Sequence, residues 1–586
     1  MERTKFQRLC ALFLAVLFLI PGGMVVASAE DTASQSVTDK TIADVKEQLN
    51  AISYEEYRQK YSDVKRATDE ITIKGIDYDK DNTTAEVSVG TYDGVEALYT
   101  PGDGIVTWNV TIPETAKYSI IVEYYPNEGK SSSVQRIFRI DNSIPFSEAR
   151  YITMPKVWKS VYTEGELKVG KKQSADELLK NAAAAGIEAR SETREDGTYI
   201  IYTIPEVWTS DNAQLVEENV IRFFKIDVDD NEIRNSMKQA PKWCTFEMKD
   251  VDGYYAESFE FVFTKGEHSV SFESTNEPAS IKSIRLVPHT DLTSYADYSA
   301  KYAGESKGTD RVKLEAEFPS ASTTQTVYPV EDRTCAINSP SSTAHTVLNT
   351  IGGDRWQTSG QALEYTFRVN SSGMYNIVTR FRQNLLDGVY TSRALYIYSE
   401  GLEPGAKGYY NGIPFTEATE LVFNYSTDWQ SGAVQYITKQ YDENGKLSTD
   451  YHDIELYFEA GVTYNIKFEV TLGSMGDVVR QINESLEAIN SDYLDILQLT
   501  CANPDKYRDY GFYLIMPDTI IDLKRQADIL EGIANDMAAT AGVKSTNSAT
   551  LNKIVVLLRR MHGDEDEIAR NLDQLKSYLG TLGTLL

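Results

Sequence analysis

The sequence repeats itself. Ser53-Tyr54-x-x-Tyr57-x-x-Lys60-Tyr61 recurs 241 residues later as Ser294-Tyr295-x-x-Tyr298-x-x-Lys301-Tyr302. Asp141-Asn142-Ser143-Ile144-Pro145-Phe146-Ser147-Glu148-Ala149 recurs as Tyr410-Asn411-Gly412-Ile413-Pro414-Phe415-Thr416-Glu417-Ala418. Phe263-x-x-Gly266-x-x-x-Val270-x-Phe272-Glu273 is echoed, with one inserted residue, around Phe458, Gly461, Ile466, Phe468 and Glu469. All three echoes keep their order, so the chain carries two copies of one domain, each obliged to build its own core.

Between these anchors apolar residues alternate at period two. Tyr118, Ile120, Val122 and Tyr124 do so in the first copy, and Tyr375, Ile377, Thr379 and Phe381 in the second. Such runs, punctuated by Gly, Pro and Asn, predict antiparallel β-sandwiches, with a jelly roll the favoured topology. An insertion at about 161–215 interrupts the first copy and holds a helical segment, Ser174 to Gly186. After Gly473 the spacing changes. Ile482, Leu486, Ile489, Tyr493 and Ile496 step by four and three, as do runs from Ile520, Leu551 and Ile568, predicting a four-helix antiparallel bundle. The expected layout is a helical lead-in at 30–69, a first sandwich at 70–290, a helical linker at 291–311, a second sandwich at 312–472 and the bundle at 473–586.

Residues 1–29 read as a signal peptide. Arg3, Lys5 and Arg8 precede an apolar run from Leu9 to Ile20, and Ala27-Ser28-Ala29 fits a cleavage site. The run is too short to span a membrane, and no later stretch is apolar enough. Cleavage removes three basic residues and one acidic one, taking the net charge from -29 to -31. That balance argues against nucleic acid or an anionic membrane as partner, because phosphate contacts need clustered Lys and Arg. Cys244, Cys335 and Cys501 remain, an odd number without metal-knuckle spacing, so they cannot all be paired.

Reaction machinery is sparse. The sequence has no G-x-S-x-G elbow, H-E-x-x-H or P-loop, and its five histidines are scattered. Two carboxylates would suffice for a glycosidase, but the reading taken is non-catalytic. Binding has better candidates, since tryptophan and tyrosine rings stack on sugar C–H faces. Trp158, Trp356 and Trp429 are candidate ligand residues, each balanced against a core role. Asn384, closing the strand from Tyr375 to Gln383, and Tyr125, in the matching place of copy one, are two more. Val312-Lys313-Leu314-Glu315-Ala316-Glu317-Phe318 opens the second copy. In a strand Glu315 and Glu317 share a face, either as two hard ligands for Ca²⁺ or as two solvated glutamates on an edge.

The V-K-L-E-A-E opening and the later V-N-S-S-G-M-Y-N-I-V-T-R-F-R-Q-N resemble carbohydrate-binding modules of families six and thirty-five, which are galactose-binding-like jelly rolls. That resemblance implies a structural calcium held by Glu315 and Glu317, and sugar contact by Asn384. A longer likeness covers most of the chain. Leu348 to Gln361, N-G-I-P-F-T-E-A, Phe224 to Arg234, Gly253 to Phe261 and the helical tail are similar to large Gram-positive extracellular solute-binding proteins. In that group the duplicated sandwich and bundle precede the two-lobed binding domain of a sugar ABC transporter. Here the sequence stops at Leu586, where that domain would begin, so the expectation is a truncated or split member, or an accessory module. The implied protein is secreted and surface-associated, and binds oligosaccharide or polysaccharide near a transporter's binding lobe or permease. The alternative is a scaffold that docks such a partner protein.

Overall fold

The computed structural model describes residues 51–585, except 131–132, 336, 386–388, 442–446 and 542–544. The expected signal peptide at 1–29 and the first part of the lead-in therefore lie outside the described residues. The chain forms two compact units. One runs to Lys156 and includes Pro241–Val251 and Ser258–Thr290; the other comprises Val157–Ala240, Asp252–Glu257 and Asp291–Leu586.

The first unit is an antiparallel sandwich. One sheet orders Cys244–Glu247, Ala116–Tyr125, Ala279–Val287, Val95–Thr100 and Ser88–Tyr92; Ile71–Lys74 pairs with its central strand and Glu260–Phe263 with Ala116–Tyr125. The other orders Gly104–Ile112, Gly266–Asn276, Val134–Ile140 and Ile152–Met154. Period-two alternation sends Tyr118, Ile120, Val122 and Tyr124 inward, where they join Trp108, Phe138, Phe261 and Phe272 in the core. Lys156 and Glu277 are buried as a pair 2.5 Å apart. Beside them the Arg136 guanidinium donates to the carbonyls of Gln135, Asn276 and Glu277.

The repeated tyrosine motif is a latch. In the helix Tyr54–Lys60, Ser53 and Glu56 form a reciprocal capping box. Tyr54 and Tyr57, three apart, turn the same face to the sandwich, and their hydroxyls accept the backbone N–H of Glu260 and Val262 at 2.9 and 2.8 Å. Both rings pack on Phe146, with centroids at 4.8 and 5.1 Å. Glu148 accepts the N–H of Tyr54 at 2.9 Å, satisfying one donor at the helix start.

The second unit repeats the tyrosine, phenylalanine and glutamate contacts, while at its helix start Ser294 accepts the Asp297 N–H without the reciprocal bond. The helix Tyr295–Lys301 presents Tyr295 and Tyr298, whose hydroxyls each accept a backbone N–H at 2.9 Å, from Glu455 and Tyr457. Phe415 lies 4.9 and 5.1 Å from the two rings, and Glu417 accepts the N–H of Tyr295 at 2.7 Å. The helical segments read as a lead-in and a linker are thus each built into a unit.

The main sheet of this unit orders Met237–Gln239, Trp158–Ser160, Ala321–Ser322, Ala362–Arg368, Thr463–Thr471, Thr391–Ser399 and Asn411–Gly412. Its first two strands correct the expected domain layout. The inserted segment is Val157–Ala240, longer than 161–215, and it belongs to the second unit rather than the first sandwich. The cause is apolar: Tyr162, Trp208, Phe223 and Phe224 all pack on Phe318. The segment also contributes its own three-stranded sheet, and the expected helix forms over Ala175–Ala184.

Four long helices, Met475–Thr500, Pro517–Ala541, Thr546–Gly563 and Asp566–Leu585, close a ring in which each packs on the next and the last on the first. The stripes read from the sequence fill its core with Ile482, Ile489, Ile496, Leu523, Leu530, Ile554, Leu558, Leu572 and Leu575. Polar residues are set among them, Ser485, Asp492 and Thr500 on the first long helix. Asp492 is only 6% exposed, and among the described residues neither its Oδ2 nor Oε1 of Gln526 on the second long helix has a hydrogen-bond partner. Burial first, then the charges of Asp522 and Asp495, push its carboxyl up to about 8 against the pull of Arg525. Among the described residues no helix is long and apolar enough to cross a membrane. Mainly β-sandwich with a C-terminal helical bundle is thus the architecture, as the alternation and the heptads required.

Candidate functional site

In the second unit, Val378–Phe381 pairs antiparallel with Gln430–Ala433, Phe381 facing Gln430. The residues just past this ladder, Arg382 to Asn384 on one side and Asp428 and Trp429 on the other, therefore share one end. The Ser426 N–H donates to Gln383 O at 2.7 Å and ties the two loops. The half-buried Trp429 ring is fixed by its indole N–H, which donates to Asp332 Oδ1 at 3.1 Å. Arg382 holds the other Asp332 oxygen at 2.8 Å, and its guanidinium lies 5.3 Å from the Trp429 ring centre. Arg380, exposed, lies 5.9 Å from the same ring and donates to Asn338 at 3.0 Å. Burial works against the Asp332 carboxylate, yet hydrogen bonds from Thr334 and Trp429 and the charge of Arg382 hold it below the usual range. The result is an aromatic edge between two oriented guanidiniums, with the exposed Asn384 on the adjoining loop. Such a set can stack on a sugar ring and donate to its oxygens.

The other sequence candidates are placed differently. Trp158 is 6% exposed and lies inside the main sheet, paired with Gln239 and Ser322, so its ring is core. Trp356 is covered by the Arg393 guanidinium at 4.5 Å, and its indole N–H is taken by Gln361 O, which makes it a loop clamp. Tyr125 stands at the end of Ala116–Tyr125 in the first unit, so it and Asn384 belong to different sites. Its place in the second copy is filled by Arg382, because Tyr124 faces Cys244 as Phe381 faces Gln430. Arg380, Arg382 and Asp332 were missed by sequence reasoning. The alternation that marked Thr379 and Phe381 as inward marks both arginines as outward, and that was the available signal.

Val312 to Phe318 is not a strand: Glu315 lies in irregular chain and Glu317 in a turn. Glu315 pairs with Lys313 at 2.9 Å. Glu317, 1% exposed, receives Arg222 at 3.3 Å, and Arg222 also pairs with Glu232 at 2.8 Å and donates to Leu348 O at 2.5 Å. Burial pushes the Glu317 carboxyl up, the Glu315 charge adds to this, and Arg222 opposes it. Calcium takes six to eight oxygens in most sites. Here a guanidinium from the inserted segment already answers the buried carboxylate, and among the described residues no group of three or more His, Cys, Asp or Glu is placed to hold a metal. The residues present do not fit the calcium ion that the resemblance implied.

The arrangement nearest to a nucleophile is in the first unit. Ser119 Oγ lies 3.0 Å from His289 Nδ1, while Ser258 donates directly to Glu247 at 2.7 Å. Cys244, Cys335 and Cys501 are all free thiols.

Residues 477–586 match the family described as bacterial solute-binding protein, 4-helix bundle domain. No curated protein matches the chain. Among solved structures, a Podospora anserina GH26-CBM35 β-(1,4)-mannanase is similar at 8% identity over 38% of this chain and 28% of its own, with a TM-score of 0.17. A Paenibacillus cycloisomaltooligosaccharide glucanotransferase complexed with cycloisomaltoheptaose is similar at 9% identity over 69% of this chain and 46% of its own, with a TM-score of 0.15. The chain thus spans less than half the length of either.

Proposed function

We propose that this protein is an extracellular, non-catalytic carbohydrate-binding protein that works beside a sugar ABC transporter and holds glycan near the transporter's own binding lobe. The observation that carries the reading is the C-terminal bundle, whose match is to a domain of bacterial solute-binding proteins. The ligand class is drawn from the Trp429 edge, where an aromatic ring, two guanidiniums and an exposed amide make the kind of surface that sugars occupy. The test is a glycan array of the mature chain, run with Ca²⁺ and again with chelator. A defined set of bound oligosaccharides, some of them bound more weakly in Trp429→Ala, is the expected result. Binding to no glycan in either buffer would sink the reading.

A second reading has its own support. Tyr507, Leu514, Ile515 and Ile521 are exposed apolar residues around the start of the second long bundle helix. A scaffold that docks a partner protein would use such a patch. Retention of a separate transporter binding lobe on immobilised chain, abolished by Leu514→Asp, would favour it.

A further inference from the structure

The first unit carries an aromatic surface of its own. Across its larger sheet, Ser88 faces Tyr99, Tyr99 faces Ser280 and Ser280 faces Tyr125. Cys244 faces Tyr124, so one step further along the ladder Trp243 falls opposite Tyr125. Tyr99, Ser280, Tyr125 and Trp243 thus form one row, and because Tyr124 points into the core, Tyr125 points out of it. Tyr92 folds onto the same row. Its ring lies 5.4 Å from Tyr125, which lies 5.5 Å from Trp243. The indole N–H of Trp243 donates to Tyr92 O at 3.1 Å and fixes the group. Gly90 is the floor beneath Tyr92: a Cβ there would stand 3.1 Å from that ring.

The rings are half-buried and mutually braced, so little rotamer freedom is left to lose on binding. Among the described residues, nothing hydrogen-bonds the hydroxyls of Tyr92, Tyr99 or Tyr125, or the amide nitrogen of Asn127, whose oxygen accepts from Ser280 at 2.9 Å. Asp93 and Glu128 lie near enough to Tyr125 for their charges, after burial, to push its phenol up. Neither carboxylate pairs with a cation among the described residues. The surface is therefore flat rings, unused hydroxyl and amide groups, and an uncompensated negative rim.

We infer that this face is a second glycan-binding site and that it takes neutral, hydroxyl-rich sugar rather than uronate or sulfated glycan. Stacking would come from Tyr92, Tyr125 and Trp243, hydroxyl recognition from Asn127, Asp93 and Glu128, and rejection of anions from the two carboxylates. The ligand class rests on the carbohydrate reading above; the site does not depend on the Trp429 edge.

The test is calorimetric titration of the full mature chain with neutral gluco-, manno- and xylohexaose and with hexagalacturonate. Tyr125→Ala, Tyr125→Phe and Trp429→Ala are compared, each first shown to melt as the parent does; Trp243→Phe replaces Tyr125→Ala if that variant does not. The expected result is at least tenfold weaker binding of one neutral hexaose in Tyr125→Ala, with partial recovery in Tyr125→Phe. Parental affinity in a folded Tyr125→Ala variant, or preference of this face for hexagalacturonate, would overturn the site. Neutral binding lost only in Trp429→Ala removes this inference and leaves the carbohydrate reading standing. No heat with any sugar removes both.

Discussion

Each sandwich places a tryptophan just before the strand that pairs with the end of its Tyr-x-Ile strand, Trp243 in the first copy and Trp429 in the second. What surrounds the two indoles differs. Stepping along equivalent positions, the outward Glu123 and Tyr125 of the first copy correspond to Arg380 and Arg382 of the second. The first indole sits among tyrosines beside carboxylates. The second sits between guanidiniums that are themselves oriented by Asp332 and Asn338. Three of the four inward residues of the duplicated strand stayed apolar, with Thr379 standing where the first copy has Val122, whereas the outward ones diverged in charge, and that is where the chemistry of the two copies parts.

The same contrast runs through stability. The latch is shared, so its removal should hurt both copies alike. Phe146→Ala and Phe415→Ala each delete a fully buried ring, at a cost of about 3–5 kcal/mol. Hydrogen exchange should show protection lost in the unit that carries the substitution. Loss in only one of the two variants would mean that the latches are not equivalent.

In the first unit a buried ion pair is made instead by Lys156 with Glu277, at another place. Arg222→Ala leaves Glu317 and Glu232 without their cation and is expected to cost about 3 kcal/mol, seen as a lower Tm. Ca²⁺ and chelator should give the parent chain the same Tm. A calcium-dependent rise in the parent would show that a metal, not Arg222, answers Glu317.

Asp492 sharpens the contrast within the second unit. Its folded-state pKa, about 8, lies above the ordinary value, so between roughly pH 4 and 8 the folded protein holds a proton that the unfolded chain has released. Stability from this group therefore falls as pH rises through that window and levels off above it. Asp492→Asn should stabilise the bundle by about 2 kcal/mol at pH 7 and flatten the pH dependence of its melting. An unchanged slope would assign the dependence to other groups.

The smallest effect belongs to the ligand edge. Trp429→Ala should weaken glycan binding about tenfold, near 1.4 kcal/mol, with Tm unchanged. Equal loss from Trp158→Phe would contradict the core placement of Trp158.

Much of this architecture was legible in the sequence because its signals are periodic. Alternation at Tyr118 to Tyr124 and heptads from Ile482 onward report which faces are buried, and burial is what builds sheets and bundles. The latch was visible as spelling, though not as mechanism, since nothing local says that Glu148 reaches back to Tyr54. The insertion was misassigned for the same reason. Its helix could be read, but its full extent and its packing on Phe318 depend on a contact between segments far apart in sequence. For the candidate site, Trp429 was singled out by residue type and Asn384 by its place at the end of the strand from Tyr375 to Gln383. Glu315 and Glu317 were read as surface strand residues because the cation that answers Glu317 comes from nearly a hundred positions upstream.

The latch has a genetic consequence. In each copy a helix near the beginning is gripped by backbone near the end, at Glu260 and Val262 or at Glu455 and Tyr457. A stretch of coding sequence from Ser53 to Glu273 thus carries both halves of its own fastening. Tandem copying of such a stretch yields a second module that closes on itself from its first generation. A copy broken between the helix and those strands would inherit only half a clasp, which is a reason for the tyrosines and the I-P-F motif to have persisted together while the outward residues drifted.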